Sequence, residues 1–475
     1  MQPQRSNPLP PAEASKLATD SYVFLYPLVF MEAFRQAWAE KPNSFARLTP
    51  LLVRSLDGPP HVLSLAYSVG AWIDLSAGPV LLTLPDSRDR YIIATVFDAW
   101  GEIVASLGTR ETGGRGGRYV LAGPGAEGAL ANVHDLTPIK ASTSRLWVGV
   151  NIIGRGETDF DVLRSLASKC RATVIGDTPL AYAASPRLGS GMSPVVRVTS
   201  MSPERFFSTA AALLALNPVR PADRALGDVL SRLGLREGRS FTFSSFPPET
   251  AQAIQEGAAV GRATVLAEQE RLLRLARENW KPATPADTNT PNHLERAARI
   301  RLTPHTALPD DHLLMATSHD GADEYLHGAR RYSIHFAADA MPPTNALWSL
   351  SAVDMTGRMM ARKPGRSIGS HRDLHVNNDG SLDILVQSTR SRRSARNNNW
   401  LQCPQGRFTL VLELFSPAGE ALEGRWSPPP VQRDPDRRNQ PVDAPAAAPA
   451  TSPAVVWLQP QLGGGVFDPK LGSST

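Results

Sequence analysis

The chain has 475 residues, of which 42% are hydrophobic and 20% charged, and its 50 basic and 45 acidic side chains leave a formal net charge of +5. A chain of this length can bury a sizeable core and should divide into two or three domains, with the composition of an ordinary soluble protein. The basic residues are spread along the chain, which argues against nucleic-acid binding because that requires positive charge gathered on one face.

The first predicted element is a helix over residues 12–40, which Pro27 should kink. Its apolar run YVFLYPLVF (residues 22–30) is too short to span a bilayer. The run also lacks the basic lead-in and the cleavage site of a secretory signal. The sequence therefore predicts a buried helix, no membrane span and a cytoplasmic location.

Two strand-rich regions flank a helical region. Between about residues 60 and 155, runs such as PVLLTLPD and RLWVGVNIIG are β-branched and aromatic and are separated by turn residues, which is typical of an antiparallel sheet. Residues 159–275 follow a helical pattern, in which SPERFFSTAAALLALNP has a Ser-Pro-Glu start and an Asn-Pro stop. Strands resume near residue 330. The alternation in RFTLVLELF places four apolar side chains on one face: Phe408, Leu410, Leu412 and Leu414.

Common enzyme signatures are absent from the sequence. The glycine-rich stretch GTRETGGRGGRYVLAGPG (residues 108–125) lacks the lysine and the following helix of a phosphate-binding loop, so a hairpin turn is the better interpretation. No GxSxG or HExxH occurs, no SxxK opens a helix, and no GxGxxG lies in a strand–turn–helix frame. Whether the protein is an enzyme therefore stays open, and no cofactor is predicted.

The two cysteines, Cys170 and Cys403, lie far apart in the sequence, and neither belongs to a CxxC pair. This excludes a zinc site made of thiolates alone and leaves one long-range disulfide open.

Eight of the ten histidines fall between residues 293 and 375, and neutral imidazole is a common ligand of transition metals. A metal site would need three or four of them to converge, or their acidic neighbours Asp310, Asp311 and Asp320. The candidate ligands are His305, His312, His319, His371 and His375. Their segments show no sustained helical pattern, and in HRDLHVNNDG the residues Asn-Asn-Asp-Gly favour a turn. A divalent metal is therefore the alternative, and loop histidines are the favoured interpretation.

Two further segments could bind a partner. STRSRRSARNNNW (residues 388–400) is rich in arginine and could bind a phosphate or an acidic surface, although a solvated loop is favoured. The sequence after residue 427 is rich in proline and alanine, which predicts a disordered tail that contains the apolar segment VVWLQP (residues 455–460).

The most specific signals are longer motifs in both halves of the chain. FLYPLVFME and AWIDLSAGPVLLTLPDSRDRYIIATVFDAWGEIVASLGTRETG lie in the N-terminal half, and ALWSLSAVD, NNDGSLDILVQ and NNNWLQCPQGRFTLVLELFSP lie in the C-terminal half. Together they resemble a bacterial two-domain family of unknown function, whose N-terminal domain is numbered 1254 and whose C-terminal domain is numbered 1214. The similarity covers nearly all of residues 15–433.

The resemblance implies an α+β fold that is mostly β. It implies two β-sandwich domains, the C-terminal one jelly-roll-like, with a helical segment between them, and it also implies oligomerisation. The resulting predicted division is a disordered N-terminus (1–14), an N-terminal helix plus β-sandwich domain (15–158), a helical segment and linker (159–291), a C-terminal jelly-roll-like domain (292–433) and a disordered tail (434–475).

The resemblance supplies no reaction, because the family has no established general activity. Among the positions that match its motifs, Asp98 and Arg110 are the better functional candidates, as polar groups near the aromatic Trp100. The family's Asn, Asp and Thr ahead of Tyr67 are replaced here by LSLA, and loss of the carboxylate removes any general-base or metal role there. An Arg-x-Tyr-like pair near the end is replaced by Glu413 and Phe415.

These observations favour a protein that binds a small molecule in an apolar, tryptophan-lined pocket. The candidate ligand-binding residues are Tyr67, Asp98, Trp100, Arg110, Trp348 and Trp400. One alternative is a metal-dependent hydrolase or oxygenase that uses histidines of residues 293–375. Another is a non-catalytic, degenerate family member that acts as a scaffold through its arginine-rich segment and its tail.

Overall fold

The computed structural model describes residues 9–38, 41–48, 65–87, 89–126, 130, 136–175, 187–188, 192–278, 280–282, 292–302, 307–355, 367–389 and 399–434. The predictions that concern residues 1–8, His305, the arginine-rich residues 390–398 and the tail after Asp434 lie outside these ranges. All of the described residues belong to one compact unit that ends at Asp434.

The helices in chain order are α1 (Pro11–Ala37), α2 (Thr109–Thr112), α3 (Phe160–Ala167), α4 (Pro194–Thr199), α5 (Pro203–Leu214), α6 (Arg224–Arg232), α7 (Pro248–Leu275), α8 (His293–Leu302) and α9 (Gly419–Leu422). Short 3₁₀ turns cover Glu157–Asp159, Pro221–Asp223 and Phe243–Ser245. The strands of the N-terminal half are β1 (Ala46–Arg47), β2 (Ala66–Asp74), β3 (Val80–Leu84), β4 (Tyr91–Phe97), β5 (Ile103–Gly108), β6 (Gly117–Ala122), β7 (Thr137–Lys140), β8 (Arg145–Ile153) and β9 (Arg171–Val174). Those of the C-terminal half are β10 (Lys281–Pro282), β11 (His312–Thr317), β12 (Tyr332–Phe336), β13 (Thr344–Asp354), β14 (Ser367–Gly369), β15 (Leu382–Gln387), β16 (Trp400–Gln402), β17 (Phe408–Pro417) and β18 (Gln432–Arg433).

The N-terminal β region has two sheets, in the orders β1-β2-β8-β4-β5 and β7-β6-β3-β9. Their inner faces share one apolar core, to which β3 contributes Leu82 and β4 contributes Ala94 and Val96. Every residue of β4 is buried, because its other face carries Tyr91 and packs with Phe415 of the C-terminal half. The glycine-rich segment 108–125 joins these two sheets through α2, so the predicted hairpin is wrong.

The C-terminal β region repeats this arrangement with the sheets β10-β11-β17-β13-β14 and β16-β15-β12-β18. The pairs β6–β7 and β15–β16 are parallel, and the other pairings between described strands are antiparallel. The four alternating side chains of β17 lie in the shared core, as the sequence predicts: Phe408, Leu410, Leu412 and Leu414. The predicted α+β fold with sandwich-type domains is confirmed, while the jelly-roll connectivity stays a prediction.

A layer of helices is built around α1, which packs against α4, α5, α6, α7 and α8. Helix α1 begins at Pro11, inside the segment 1–14 predicted to be disordered, because proline fits the first helical position and Ala14 is fully buried. The helix continues through Pro27. Within the described ranges no helix has both the length and the hydropathy to cross a bilayer.

Two glycines of α7 allow the close approach of α1. A Cβ atom on Gly257 would lie 2.1 Å from the carbonyl oxygen of Ser15, and one on Gly261 would lie 2.9 Å from Cβ of Tyr22. The hydroxyl of Thr19 also donates to the carbonyl of Gly257 at 2.9 Å. Any side chain at Gly257 would therefore push the two helices apart.

We predict that Gly257→Ala lowers the free energy of unfolding by about 2 kcal/mol, because the overlap with Ser15 outweighs the better helix propensity of alanine. Gly227→Ala on α6 is the matched control, since the nearest atom to its Cβ is 3.8 Å away. That variant should be equally or more stable than the parent, by up to about 1 kcal/mol. Denaturant unfolding of both variants measures the difference, and equal stabilities would refute the close-packing argument.

Candidate functional site

Asp98 closes the tight turn between β4 and β5. Its backbone N–H donates to the carbonyl of Glu102 at 2.9 Å. Its Oδ1 accepts from the N–H groups of Trp100 at 2.8 Å and Glu102 at 3.0 Å. The side chain is only 2% exposed, so this carboxyl group is held rigidly inside the protein.

Burial raises the pKa of Asp98 to about 6, and the neighbouring Glu102 carboxylate acts in the same direction. The backbone N–H groups that Asp98 accepts from oppose this shift of the pKa, as does Arg220. The carboxyl group therefore titrates close to neutral pH, as expected of a group in a functional site.

Behind this turn lies an acid–arginine cluster, made of Glu102, Asp223, Arg220, Arg296 and His293. Arg296 Nη1 lies 2.6 Å and Arg220 Nη1 lies 3.3 Å from Oε1 of Glu102. Arg220 also donates to Oδ2 of Asp223, at 2.8 Å from Nε and 2.7 Å from Nη2. The cluster joins a β-turn, the 3₁₀ turn before α6 and the first turn of α8.

The hydrogen bond between Arg296 and His293 determines which nitrogen of the imidazole carries the proton. Nη2 of Arg296 lies 2.7 Å from Nδ1 of His293, and a guanidinium group can only donate. Nδ1 is therefore unprotonated, with the proton on Nε2, which lies 3.9 Å from Asp223. Burial, followed by the charge of Arg296, lowers the pKa of His293.

A cleft of about 510 Å³ opens beside the cluster, between the end of α5 and helix α6. Its apolar lining includes Leu214, Val219, Leu230 and Leu235, and its charged lining comprises Arg220, Arg224, Asp228, Arg236 and Glu237. Arg220 belongs to both the cleft and the cluster. Arg224 and Arg236 are exposed, and neither forms an ion pair with another described residue. No tryptophan is among the lining residues.

Arg110, the other favoured candidate, joins the two β regions. Its Nε lies 2.7 Å from Oδ1 of Asp311, and the hydroxyl of Ser106 donates to Oδ2 at 2.5 Å. The Asp311 side chain is 4% exposed and the Arg110 side chain 37%. Asp311 therefore anchors the N-terminal sandwich to the start of the C-terminal one.

The predicted aromatic residues lie in different parts of the fold. Trp100 packs against Phe24 in the helical layer, with ring centroids 5.2 Å apart. Trp348 lies in the C-terminal core, and Trp400 donates from Nε1 to a backbone carbonyl. Tyr67 packs under Arg47 at the edge of the N-terminal sandwich. The structure thus brings Asp98 and Trp100 together but gathers neither with Tyr67, Trp348 or Trp400.

The described candidate histidines do not converge either. His312 stacks on Phe415, and its Nε2 lies 3.3 Å from the fully buried Glu413. His319 packs on Tyr325. Within the described residues no group of three or more His, Cys, Asp or Glu side chains could hold a metal ion.

The segment HRDLHVNNDG forms a turn, as the sequence predicts. The N–H of Gly380 donates to the carbonyl of Asn377 at 2.9 Å, and Gly380 has a φ of 84°, which favours glycine. His371 is half-buried, and this burial lowers its pKa to about 4, whereas His375 is exposed. The two imidazoles therefore have separate environments.

The sequence did not predict the acid–arginine cluster, because its members come from three distant segments. The sequence offered one local signal, in which Arg296 precedes the apolar pair Ala297 and Ala298, and the structure buries both alanines fully. A charged side chain in such a position requires buried partners.

Comparison with known proteins supports the domain order. Residues 64–173 match the protein family of unknown function DUF1254, and residues 311–419 match the protein family of unknown function DUF1214. The chain therefore carries both domains, in the order that the motifs predict. None of the curated proteins matches the sequence.

Two bacterial proteins are among the solved structures that match the chain. The VPA0106 protein from Vibrio parahaemolyticus has a TM-score of 0.68 and 17% sequence identity over 89% of this chain and 100% of its own. At this identity the likeness supports the fold alone. An uncharacterised protein from Burkholderia cenocepacia has a TM-score of 0.42 and 10% identity over 89% of this chain and 94% of its own.

We predict that Asp98 makes folding pH-dependent. Because the pKa of Asp98 is about 6 in the folded protein and about 3.9 when unfolded, the folded state binds more protons between these values. Stability should therefore fall as the pH rises through this window, and the variant Asp98→Asn should lack that loss. Relative to the variant, the parent should lose about 2 kcal/mol between about pH 4.5 and 8. Urea unfolding of both proteins at each pH tests this, and a pH-independent difference would contradict the raised pKa.

Proposed function

We propose that the protein binds a small organic anion with an apolar body in the cleft between α5 and α6. The observation that carries the proposal is Arg220, which lies in the lining of this cleft while two buried carboxylates hold its guanidinium group. The volume of about 510 Å³ falls within the range usual for small-molecule sites.

The lining of the cleft fits such a ligand because it has two kinds of surface. Leu214, Leu230 and Leu235 are buried and offer an apolar wall. Arg224 and Arg236 add cationic groups, which bind carboxylates and phosphates through paired N–H donors. An apolar wall with a few convergent polar groups is the usual form of a ligand pocket.

The acid–arginine cluster supports the proposal by fixing Arg220 in advance. Asp223 accepts from Nε and Nη2 of Arg220, and Glu102 pairs with the third nitrogen, Nη1. Arg296 in turn holds Glu102 in place. A side chain that is already ordered loses little conformational entropy when a ligand binds. The cluster thereby contributes to affinity without touching the ligand.

This proposal keeps the small molecule expected from the sequence and replaces the tryptophan-lined pocket with a charged cleft. Metal-dependent hydrolysis or oxygenation gains no specific support from the described histidines. The arginine-rich segment and the tail of the scaffold alternative lie outside the described residues. Oligomerisation and a cytoplasmic location stay predictions.

We predict that a series of aliphatic and aromatic carboxylates raises the melting temperature, with larger shifts for longer apolar groups. The double variant Arg224→Gln/Arg236→Gln should weaken the best ligand about ten-fold or more, because it removes two cationic contacts. The opposite change, Asp228→Asn/Glu237→Gln, should strengthen binding, because it removes like-charge repulsion. Titration calorimetry measures each dissociation constant.

The control is Arg425→Gln, which removes an exposed arginine that follows α9, pairs with Glu423 and does not line the cleft. It should leave the dissociation constant unchanged. Binding that is insensitive to both double variants, or a series without any binder, would refute the cleft as the site.

A further inference from the structure

A second group of basic and hydroxyl side chains lies where α1, α4, α7 and α8 meet. Its centre is Arg301 in the last turn of α8, which is 7% exposed. None of its members lines the cleft between α5 and α6. It is therefore separate from the proposed small-molecule site.

All described partners of Arg301 are neutral. Its Nη1 donates to the hydroxyl of Tyr26 at 3.2 Å and to Oγ1 of Thr199 at 3.0 Å, and its Nε donates to the side-chain amide of Gln269. No described carboxylate lies within ion-pair distance, and Nη2 has no described partner. A buried cation is costly unless an anion accompanies it.

Arg262 of α7 brings a second cation to the same place. Its Nη1 donates to the carbonyl oxygen of Thr199 at 2.9 Å, so the guanidinium groups of Arg262 and Arg301 bind the same residue. Arg262 also has no ion pair with a described residue and is only half-buried. Its side chain is therefore partly in contact with solvent. Two neighbouring cations repel each other, and an anion between them would relieve that repulsion.

The hydroxyl of Tyr22 supplies an independent observation. Tyr22 is 3% exposed, and its hydroxyl has no hydrogen-bond partner among the described residues. Burial and the nearby Tyr26 raise the pKa of Tyr22, and the charges of Arg262 and Arg301 act to lower it. The hydroxyl therefore lies within the field of both arginines. A buried donor without a partner is rare, because leaving it unpaired costs free energy.

We propose that Arg301, Arg262 and Tyr22 bind a small tetrahedral oxyanion of the phosphate class. Nη2 of Arg301, the remaining N–H groups of Arg262 and the hydroxyl of Tyr22 are donors, and such an anion accepts several hydrogen bonds at once. Tyr26, Thr199 and Gln269 orient Arg301. The simpler alternative is that Arg301 only ties α8 to α4, and then the hydroxyl of Tyr22 has no role.

Inorganic phosphate is the probe, added to the full chain after extensive dialysis into phosphate-free buffer. Calorimetry should show saturable binding near one phosphate per chain, with chloride at equal ionic strength giving none. Tyr22→Phe is the decisive variant, because it keeps the ring that stacks on Phe206 at 4.1 Å and removes only the hydroxyl. Without phosphate its melting temperature should not fall. Its dissociation constant for phosphate should rise about ten-fold.

Arg262→Gln should have a similar effect, and Arg425→Gln, which removes an exposed arginine outside both this group and the cleft, should leave phosphate binding unchanged. The cleft variants are assayed with organic carboxylates, so either site can fail while the other stands. The absence of saturable phosphate binding would overturn the proposal. So would unchanged affinity in both Tyr22→Phe and Arg262→Gln, because phosphate would then bind elsewhere.

Discussion

Helix α1 is the element on which the rest of the described structure depends, because it is buried along most of its length and both groups of buried charges are built against it. Phe24 packs on Trp100 and under Arg296, beside the acid–arginine cluster. Two residues further along, Tyr26 accepts a hydrogen bond from Arg301. The glycines of α7 permit this because they let two backbones come close enough to exclude water. Moving α1 would therefore disturb both groups at once.

The buried charges are costly to the fold, and their arrangement shows how the cost is limited. In the acid–arginine cluster each guanidinium group faces a carboxylate at hydrogen-bond distance, which offsets part of the loss of hydration. Around Arg301 the compensation comes from neutral oxygens alone. Buried ionic groups add little net stability, so stability alone is a weak reason for two such groups. Positioning a ligand is a stronger one.

Local patterns in the sequence predicted local structure well. Ser202 caps α5 by accepting from the N–H of Arg205, as the Ser-Pro-Glu start indicates. The sequence also predicted the strand alternation around Leu410 and the turn at Gly380. It did not predict contacts between distant segments. Arg110 and Asp311 are separated by 201 positions, and neither residue carries a local signal of the pairing. The family resemblance identified Asp98 as a candidate, but its raised pKa depends on burial and on neighbours that only folding brings close.

Each β region holds one cysteine inside its own core, Cys170 in the N-terminal sandwich and Cys403 in the C-terminal one, and both are free thiols. Burial raises the pKa of each to about 12, and the thiolate is the reactive form. Neither thiol should react with an alkylating reagent until its own sandwich opens. The chain thus contains two native reporters of local opening, one for each half, whose labelling rates would show whether the halves unfold together or one after the other.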